Sequence, residues 1–176
     1  MIVLLVRHPA PDVPAGVCYG RQDLPLRADS LALLPSLAAE IHAHGIATLR
    51  ASPAKRCRLL ADFVVAMGHR SLLVDPRLQE LDFGAWEGVA WDDIPRKELD
   101  RWAADPLGFA PPGGESGAAL VARVRQVHQA IVAAREDCAV IAHGGPLKVL
   151  AALLCGKSPD LLAPAQPFGS IIPAAC

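Results

Sequence analysis

The chain opens with an apolar run, Met1 to Val6, which ends at the pair Arg7-His8. Because apolar and polar residues do not alternate in this run, it predicts a strand buried on both faces, as in parallel sheets covered by two helix layers. Arg7 and His8 would then lie at the carboxyl end of the strand, the edge where open α/β sheets bind ligands. The alternative is a strand that merely leaves the sheet into a polar loop.

A second strand is predicted over residues 46–51, and it also leads into a helix start. Ser52 is expected as the N-cap and Pro53 as the first helical residue, with the helix ending near Met67 before Gly68. Lys55, Arg56 and Arg58 stand near this helix start, where positive charge opposes the helix dipole. Their placement favours a nearby anion, although Lys55 and Arg58 are equally consistent with solvated surface charges.

The opening pattern recurs near the end of the chain. Residues 138–142 read as a buried strand that ends in His143, followed by Gly144, Gly145 and a helix over residues 146–154. Backbone N–H groups at a helix N-terminus form a ready site for an anion.

Other elements are predicted from periodicity and cap signals. They are a helix from Asp29 to His44, a short strand over 71–74, a helix over 91–102, a Ser116-capped helix over 117–135, and a last strand within 168–173. The loop after His8 and the loop over residues 103–116 are rich in proline and glycine.

A loop over residues 78–88 mixes carboxylates with aromatic residues and glycines. A carboxyl group desolvated against aromatic rings has a raised pKa and can donate a proton near neutral pH. Within this loop, Glu80 is the candidate acid.

Parallel strands bring their carboxyl ends together, so Arg7, His8, Arg56 and His143 are expected in one crevice. Two guanidinium groups, two imidazoles and a helix N-terminus describe a pocket for a dianion, and a phosphoryl group is its natural occupant. The nearby arginines disfavour protonation of an imidazole, which leaves one histidine able to attack phosphorus.

Composition limits the partners. The 176 residues are 52% hydrophobic with a formal net charge of −1, which indicates one domain, residues 1–176, without a polybasic surface for nucleic acid or membrane. A small-molecule partner is expected. The five cysteines lack a C-x-x-C pair, which favours reduced thiols, with Cys57 and Cys155 as small buried residues. The opening run does not resemble a signal peptide, and a soluble, cytoplasmic protein is expected. A homodimer is left open.

Five motifs carry a family resemblance. They are Val6-Arg-His8, Ser52-Pro-Ala-Lys-Arg-Cys57, Leu78-Gln-Glu-Leu-Asp-Phe-Gly-Ala-Trp-Glu-Gly88, Pro112-Gly-Gly-Glu-Ser116 and Ala142-His-Gly144. In order and spacing they resemble the histidine phosphatase superfamily, also called the phosphoglycerate mutase-like family. The resemblance implies a three-layer α/β/α sandwich with a mainly parallel central sheet, and it implies no metal and no cofactor.

The resemblance also implies roles. His8 would be the nucleophile that forms a phosphohistidine, while Arg7, Arg56 and His143 would bind the phosphoryl oxygens. Glu80 would protonate the leaving alcohol and then activate water. Tyr19, Gly20 and Gly144 are further candidates for contact with the phosphate.

One residue departs from the family pattern. Glycine usually follows the catalytic histidine, whereas Pro9 stands here and lacks an N–H. The motif Arg-His-Pro with the loop Cys-Tyr-Gly-Arg-Gln-Asp-Leu-Pro-Leu resembles the α-ribazole phosphatase branch, which removes the 5′-phosphate of α-ribazole phosphate in cobalamin assembly. Alternatives are a broad-specificity sugar or nucleotide monophosphate phosphatase, a phosphoglycerate mutase, and an inactive phospholigand-binding module.

Overall fold

The fold is organised around a five-stranded sheet. A computed structural model describes residues 1–68 and 71–174. In these residues the strand order is β3-β2-β4-β1-β5, and only the β1–β5 pair is antiparallel. The strands are β1 (Val3–Arg7), β2 (Thr48–Ala51), β3 (Ser71–Val74), β4 (Cys138–Ala142) and β5 (Ile171–Pro173).

Helices cover both faces of the sheet. They are α1 (Ala28–Leu31), α2 (Leu34–Ala43), α3 (Lys55–Ala66), α4 (Arg96–Ala104), α5 (Gly117–Ala134) and α6 (Gly144–Leu154). Helices α2 and α3 share one hydrophobic core with the sheet, and α5 and α6 share the other. This arrangement confirms the predicted α/β/α sandwich with a mainly parallel sheet.

The two cores explain the unbroken apolar run of β1. Leu4 and Val6 belong to the core beneath α2 and α3, whereas Val3 and Leu5 belong to the core beneath α5 and α6. Successive side chains of a strand point to opposite faces, so a strand covered on both sides is apolar at every position.

The register of the central strands fixes the place of the site. Arg7 lies opposite Ala142, and Ala51 lies opposite Ile141. The residues that follow these strands therefore emerge at one edge of the sheet, where the chain continues as His8, Ser52 and His143.

Two predicted helices are wrong in extent because of proline. The helix expected from Asp29 to His44 is divided into α1 and α2, and Pro35 occupies the first turn of α2, where its missing N–H is tolerated. The helix expected over residues 91–102 is a 3-10 turn, Trp91–Asp93, followed by α4, which begins after Pro95.

Two helix starts are also corrected. Helix α3 begins at Lys55 with Ala54 at the N-cap position, so Ser52 is not its cap. Helix α6 begins at Gly144 and not at residue 146. The predicted Ser116 cap is confirmed, since the Ser116 hydroxyl accepts a hydrogen bond from the Ala119 N–H.

A smaller third cluster joins the 78–109 region to the loop after His8. Its buried residues are Cys18, Trp86 and Ile94. Cys57 is buried as expected, but Cys155 is only half-buried, and Cys176 lies outside the described residues. None of the helices in the described part of the chain has both the length and the apolar character that a membrane crossing requires.

Candidate active site

His8 is buried immediately beyond β1, and its ring orientation is fixed by the backbone. Its Nδ1 lies 2.6 Å from the carbonyl oxygen of Pro9. Because a carbonyl only accepts hydrogen bonds, Nδ1 carries the proton and Nε2 keeps its lone pair. Burial, reinforced by Arg56 and Arg7, lowers the pKa of His8 to about 3. At neutral pH this histidine is therefore an uncharged base with Nε2 available.

His143 lies beside His8 at the start of α6. The ring centroids are 5.0 Å apart, and the rings meet edge to face. Its Nε2 is 2.7 Å from the Ser52 hydroxyl and 3.6 Å from the Cys57 sulfur. Burial, with His8 and Arg56 nearby, lowers the pKa of His143 well below its usual value. Both imidazoles are consequently neutral in the folded protein.

Two arginines approach the histidines from different elements. Arg56 on α3 is fully buried, and it donates to the carbonyls of Gln22 and Gly20 at 2.6 and 2.7 Å. Arg7 donates to the Gln166 carbonyl at 2.5 Å, and its guanidinium carbon lies 3.7 Å from the centre of the Phe168 ring. Backbone carbonyls and an aromatic face thus set the arginine positions. Burial lowers the pKa of Arg7, while Tyr19, which hydrogen bonds to it, and Glu80 act in the opposite direction.

Glu80 reaches the same site from the loop after β3. Its carboxylate accepts hydrogen bonds from the Gly145 N–H at 3.1 and 3.2 Å and from the Leu81 N–H at 2.9 Å. The contact with Gly145 needs glycine, because a Cβ there would collide with the Glu80 carboxylate. The first turn of α6 therefore holds the carboxylate beside the histidine pair.

Buried nitrogens without a hydrogen-bond partner make this site suited to an anion. Among residues 1–68 and 71–174 such nitrogens are the Nε atoms of Arg7, Arg50, Arg56 and Arg58 and His143 Nδ1, and of these Arg7, Arg56 and His143 belong to the site. A buried polar group without a partner costs free energy comparable to a lost hydrogen bond. With Nε2 held at Ser52, a proton on His143 Nδ1 makes this nitrogen a donor as well. These three N–H donors, each without an acceptor in the protein, suit the three oxygens of a phosphoryl group.

A family assignment follows from the sequence. Residues 3–167 match the sequence model of the histidine phosphatase superfamily (branch 1). The chain belongs to this superfamily. The resemblance carried by the five motifs is confirmed, and the residues gathered at the sheet edge are those that the motifs indicated.

Proteins that are similar to this chain in sequence differ in length. A bifunctional protein of Mycobacterium tuberculosis is 33% identical over 111 residues, which are 60% of this chain and 30% of that protein. The chain thus spans less than a third of the length of that relative. Phosphoserine phosphatase 1 of Hydrogenobacter thermophilus is 25% identical over 160 residues, 88% of this chain and 76% of that protein.

Solved structures share the fold. A mycobacterial glucosyl-3-phosphoglycerate phosphatase superposes with a TM-score of 0.83 at 22% identity, covering 98% of this chain and 88% of the other. The α-ribazole phosphatase of Shigella flexneri gives a TM-score of 0.81 at 23% identity, covering 90% and 82%. At these identities the comparison establishes the three-layer fold.

The three further residues that were predicted to contact the phosphate, Tyr19, Gly20 and Gly144, lie around the two arginines. Tyr19 lies 5.7 Å from the Arg56 guanidinium carbon, and burial raises the pKa of its phenol. Gly20 contributes its carbonyl to Arg56. Gly144 approaches Arg7 closely, since a Cβ there would be 3.5 Å from the guanidinium carbon. Contact of these three residues with phosphate stays a prediction.

Lys55 and Arg58 lie away from this group. Lys55 pairs with Asp23, and Arg58 pairs with Asp62 one turn along α3. Of the three basic residues near the start of α3, only Arg56 is buried at the site, so the alternative of surface charges holds for the other two.

An ion-pair network that the sequence did not predict lies behind Glu80. Arg123 on α5 donates to the carbonyls of Arg77, Gln79 and Glu80 at 2.6, 2.6 and 3.0 Å. It also makes two hydrogen bonds to Glu115 at 2.8 and 2.9 Å. Glu115 belongs to the motif Pro112-Gly-Gly-Glu-Ser116. Its partner Arg123 lies further along, on α5, and no sequence pattern near Arg123 marks it as part of the site.

A segment near the C-terminus, around Phe168 and Gly169, also lies at the site, which the sequence did not predict. The Gly169 N–H donates to the carbonyls of Arg7 and His8 at 3.2 Å, and the Phe168 ring lies 5.5 Å from the His8 ring. The aromatic residue Phe168 is the sequence feature that could have indicated this segment.

Proposed function

We propose that the protein is a metal-independent phosphomonoesterase that works through a phosphohistidine at His8. The observation that supports it most directly is the set of buried, unpartnered donors on Arg7, Arg56 and His143 around a histidine with a free Nε2. Phosphoryl transfer needs mainly positioning and charge stabilisation, which these groups would supply.

In the first step, His8 Nε2 attacks phosphorus as the bond from phosphorus to the leaving oxygen breaks. The Glu80 carboxyl group would give a proton to the leaving oxygen, so an alcohol departs. The arginines and His143 Nδ1–H donate to the three phosphoryl oxygens, where negative charge is concentrated.

In the second step, water attacks the phosphoryl group on His8. The Glu80 carboxylate takes a proton from this water, the N–P bond breaks, and inorganic phosphate leaves. The same carboxylate thus acts as acid and then as base, and it regains the proton that it gave up.

The substrate that we favour is α-ribazole 5′-phosphate, in assembly of the cobalamin nucleotide loop within the cytoplasm. This choice rests on the likeness of the His8-Pro9 motif and the loop over residues 18–26 to the α-ribazole phosphatase branch. The relatives carry several substrate names, phosphoserine and glucosyl-3-phosphoglycerate among them, so a broad-specificity phosphatase is the alternative to test.

The deciding experiment measures phosphate release, with chelator present, from α-ribazole 5′-phosphate, 3-phosphoglycerate, phosphoserine, and common sugar and nucleotide monophosphates. We expect release that is insensitive to chelator and a marked preference in kcat/KM for α-ribazole 5′-phosphate. Similar, weak release from all substrates would support the generalist. Transfer of phosphate between positions of phosphoglycerate would indicate a mutase, and no release from any substrate would indicate a phospholigand-binding module.

A trapping experiment tests the nucleophile. Acid-labile, base-stable label from a radioactive substrate should appear on the native chain and be lost in His8→Ala. His44→Ala, which changes an exposed histidine at the end of α2, is the matched control and should retain the label. A folded His8→Ala variant with full turnover would contradict the mechanism.

A further inference from the structure

A cavity of about 200 Å³ is lined by three residues of the site, Arg7, Glu80 and Gly145. The rings of Phe83, Trp91 and Trp102 form an aromatic part of its wall. Because Glu80 would serve the leaving oxygen, a group attached to that oxygen extends into this cavity. Its lining therefore selects the leaving group.

The three rings of this wall expose surface to the cavity. Trp91 and Trp102 are nearly parallel, with centroids 6.0 Å apart and an interplanar angle of 20°. Phe83 meets Trp91 edge to face at 5.5 Å. All three are half-buried, in contrast to Trp86, which is 3% exposed and donates its indole N–H to Glu98. Trp86 supports the wall from behind.

Three charged side chains, Arg7, Glu80 and Lys148, line the cavity. The Lys148 ammonium donates to the Leu161 carbonyl at 2.8 Å, and burial lowers its pKa. Most other lining residues, among them Leu81, Leu120 and Leu161, add apolar surface. Against this apolar part of the lining, a leaving group rich in hydroxyls would lose hydrogen bonds to water without replacement, which costs affinity.

Size and shape favour a planar ring system. An apolar cavity of about 150 Å³ is enough to take up benzene, and this cavity is larger. Aromatic pairs stabilise a contact beyond the effect of the area that they bury, so flat aromatic groups gain more from such a wall than saturated groups of the same size.

We propose that this cavity binds an aromatic ring system carried by the leaving alcohol and that Trp91 and Trp102 are specificity-determining residues. The inference rests on the proposed phosphatase reaction and narrows its substrate class to phosphomonoesters with a planar, uncharged aromatic group near the phosphate. It applies to any such ester, whether or not the aromatic group is a benzimidazole.

The test compares esters whose leaving groups are all primary alcohols: 2-naphthylmethyl, benzyl and cyclohexylmethyl phosphate, with glycerol 3-phosphate as the polar reference. We expect kcat/KM for the naphthylmethyl ester to exceed that for the cyclohexylmethyl ester about tenfold, which corresponds to about 1.4 kcal/mol. In Trp102→Leu and Trp91→Leu this ratio should fall towards one. Phe63→Leu, on the exposed face of α3, is the control and should keep the native ratio.

A binding measurement separates this inference from the reaction itself. Titration with 2-naphthylmethylphosphonate, which cannot be hydrolysed, should quench tryptophan fluorescence more strongly than cyclohexylmethylphosphonate. Phosphate release without aryl preference, or with an unchanged ratio in both tryptophan variants, would overturn the cavity assignment alone. Selective phosphonate binding without release from any ester would keep the cavity and overturn the phosphatase. If one leucine variant fails to fold, the other and Phe83→Leu decide the question.

Discussion

Glu80 is the residue whose chemistry is most open to a single-atom test. Glu80→Gln removes the proton that the leaving oxygen requires, while keeping nearly the same shape. We expect kcat/KM for alkyl phosphates to fall about 10²–10⁴-fold, and much less for 4-nitrophenyl phosphate, whose leaving group needs no proton. Glu40→Gln, exposed on α2, serves as the control. Equal losses on both substrates would remove Glu80 from this role.

Gly145 offers a second test of Glu80 that leaves the carboxyl group in place. A methyl group in Gly145→Ala would collide with the Glu80 carboxylate and displace it from the N-terminus of α6. The same selective loss on alkyl phosphates is expected in steady-state kinetics. Unchanged selectivity would show that this contact does not position the acid.

The buried histidines make stability depend on pH. The pKa of His8 is lowered to about 3, and that of His143 lies well below its usual value. Below about pH 6.5 the unfolded chain binds protons at these positions and the folded chain does not, so the free energy of unfolding falls as the pH falls. Each histidine contributes up to about 1.4 kcal/mol per pH unit in that window.

Urea unfolding between about pH 7.5 and 4.5 measures this effect, since the pKa values of unfolded histidines lie within that range. The slope of unfolding free energy against pH should be shallower in His8→Asn than in the native chain. His44→Asn, which changes an exposed histidine, should keep the native slope. A native slope in the His8 variant would mean that His8 is protonated in the folded protein.

Among the elements, α5 has a direct connection to the acid loop through Arg123. The side chains of Arg123 and Glu115 are 14% and 11% exposed, and Glu115 also pairs with Arg21 at 3.3 Å. Removal of Arg123 therefore leaves a mostly buried carboxylate with one of its two cationic partners. Arg123→Met should lower the free energy of unfolding by less than the roughly 3–5 kcal/mol expected for a fully unpaired buried charge. Arg125→Met, exposed on the same helix, should change it little.

A double-mutant cycle isolates the Arg123–Glu115 pair. The combined variant Arg123→Met/Glu115→Gln should be more stable than the sum of the single losses predicts, by about 0.5–3 kcal/mol. Additive losses would show that the arginine stabilises the loop only through its three backbone carbonyls.

Sequence patterns correctly predicted those helices and strands whose residues are set mainly by one physical requirement, such as burial. The strands β1 and β4 were found because both their faces are buried, which makes every position apolar. The start of α3 was missed because Ser52 lies at the site, where its hydroxyl is 2.7 Å from Nε2 of His143, a partner 91 residues away, and accepts only a longer local bond, 3.4 Å, from the Ala54 N–H. The positions of Phe168 and Arg123 were missed for the same reason, since their contacts depend on tertiary structure.

At the scale of the whole molecule, two cores and the tryptophan cluster allow a test of the prediction that the chain is one domain. Leu60 is buried in the core beneath α3, whereas all three tryptophans lie in the third cluster. Leu60→Ala should cost about 2–5 kcal/mol and lower the midpoint seen by tryptophan fluorescence and by far-UV circular dichroism equally. Leu59→Ala, next to it but 38% exposed, is the control.

Separate transitions by the two probes would contradict a single cooperative unit. In that case the third cluster, with the wall of the cavity, would unfold independently of the sheet.

The position of β1 also has a consequence for the time course of folding. This strand leads directly to His8 and lies between β4 and β5, whose residues are made more than 130 positions later. Pairings so distant along the chain slow folding, because the intervening segment must be closed into a loop first. During synthesis on the ribosome, the apolar strand leaves the exit tunnel long before its neighbours exist. Until β4 and β5 have been made, its apolar side chains stay uncovered, which favours aggregation of the nascent chain.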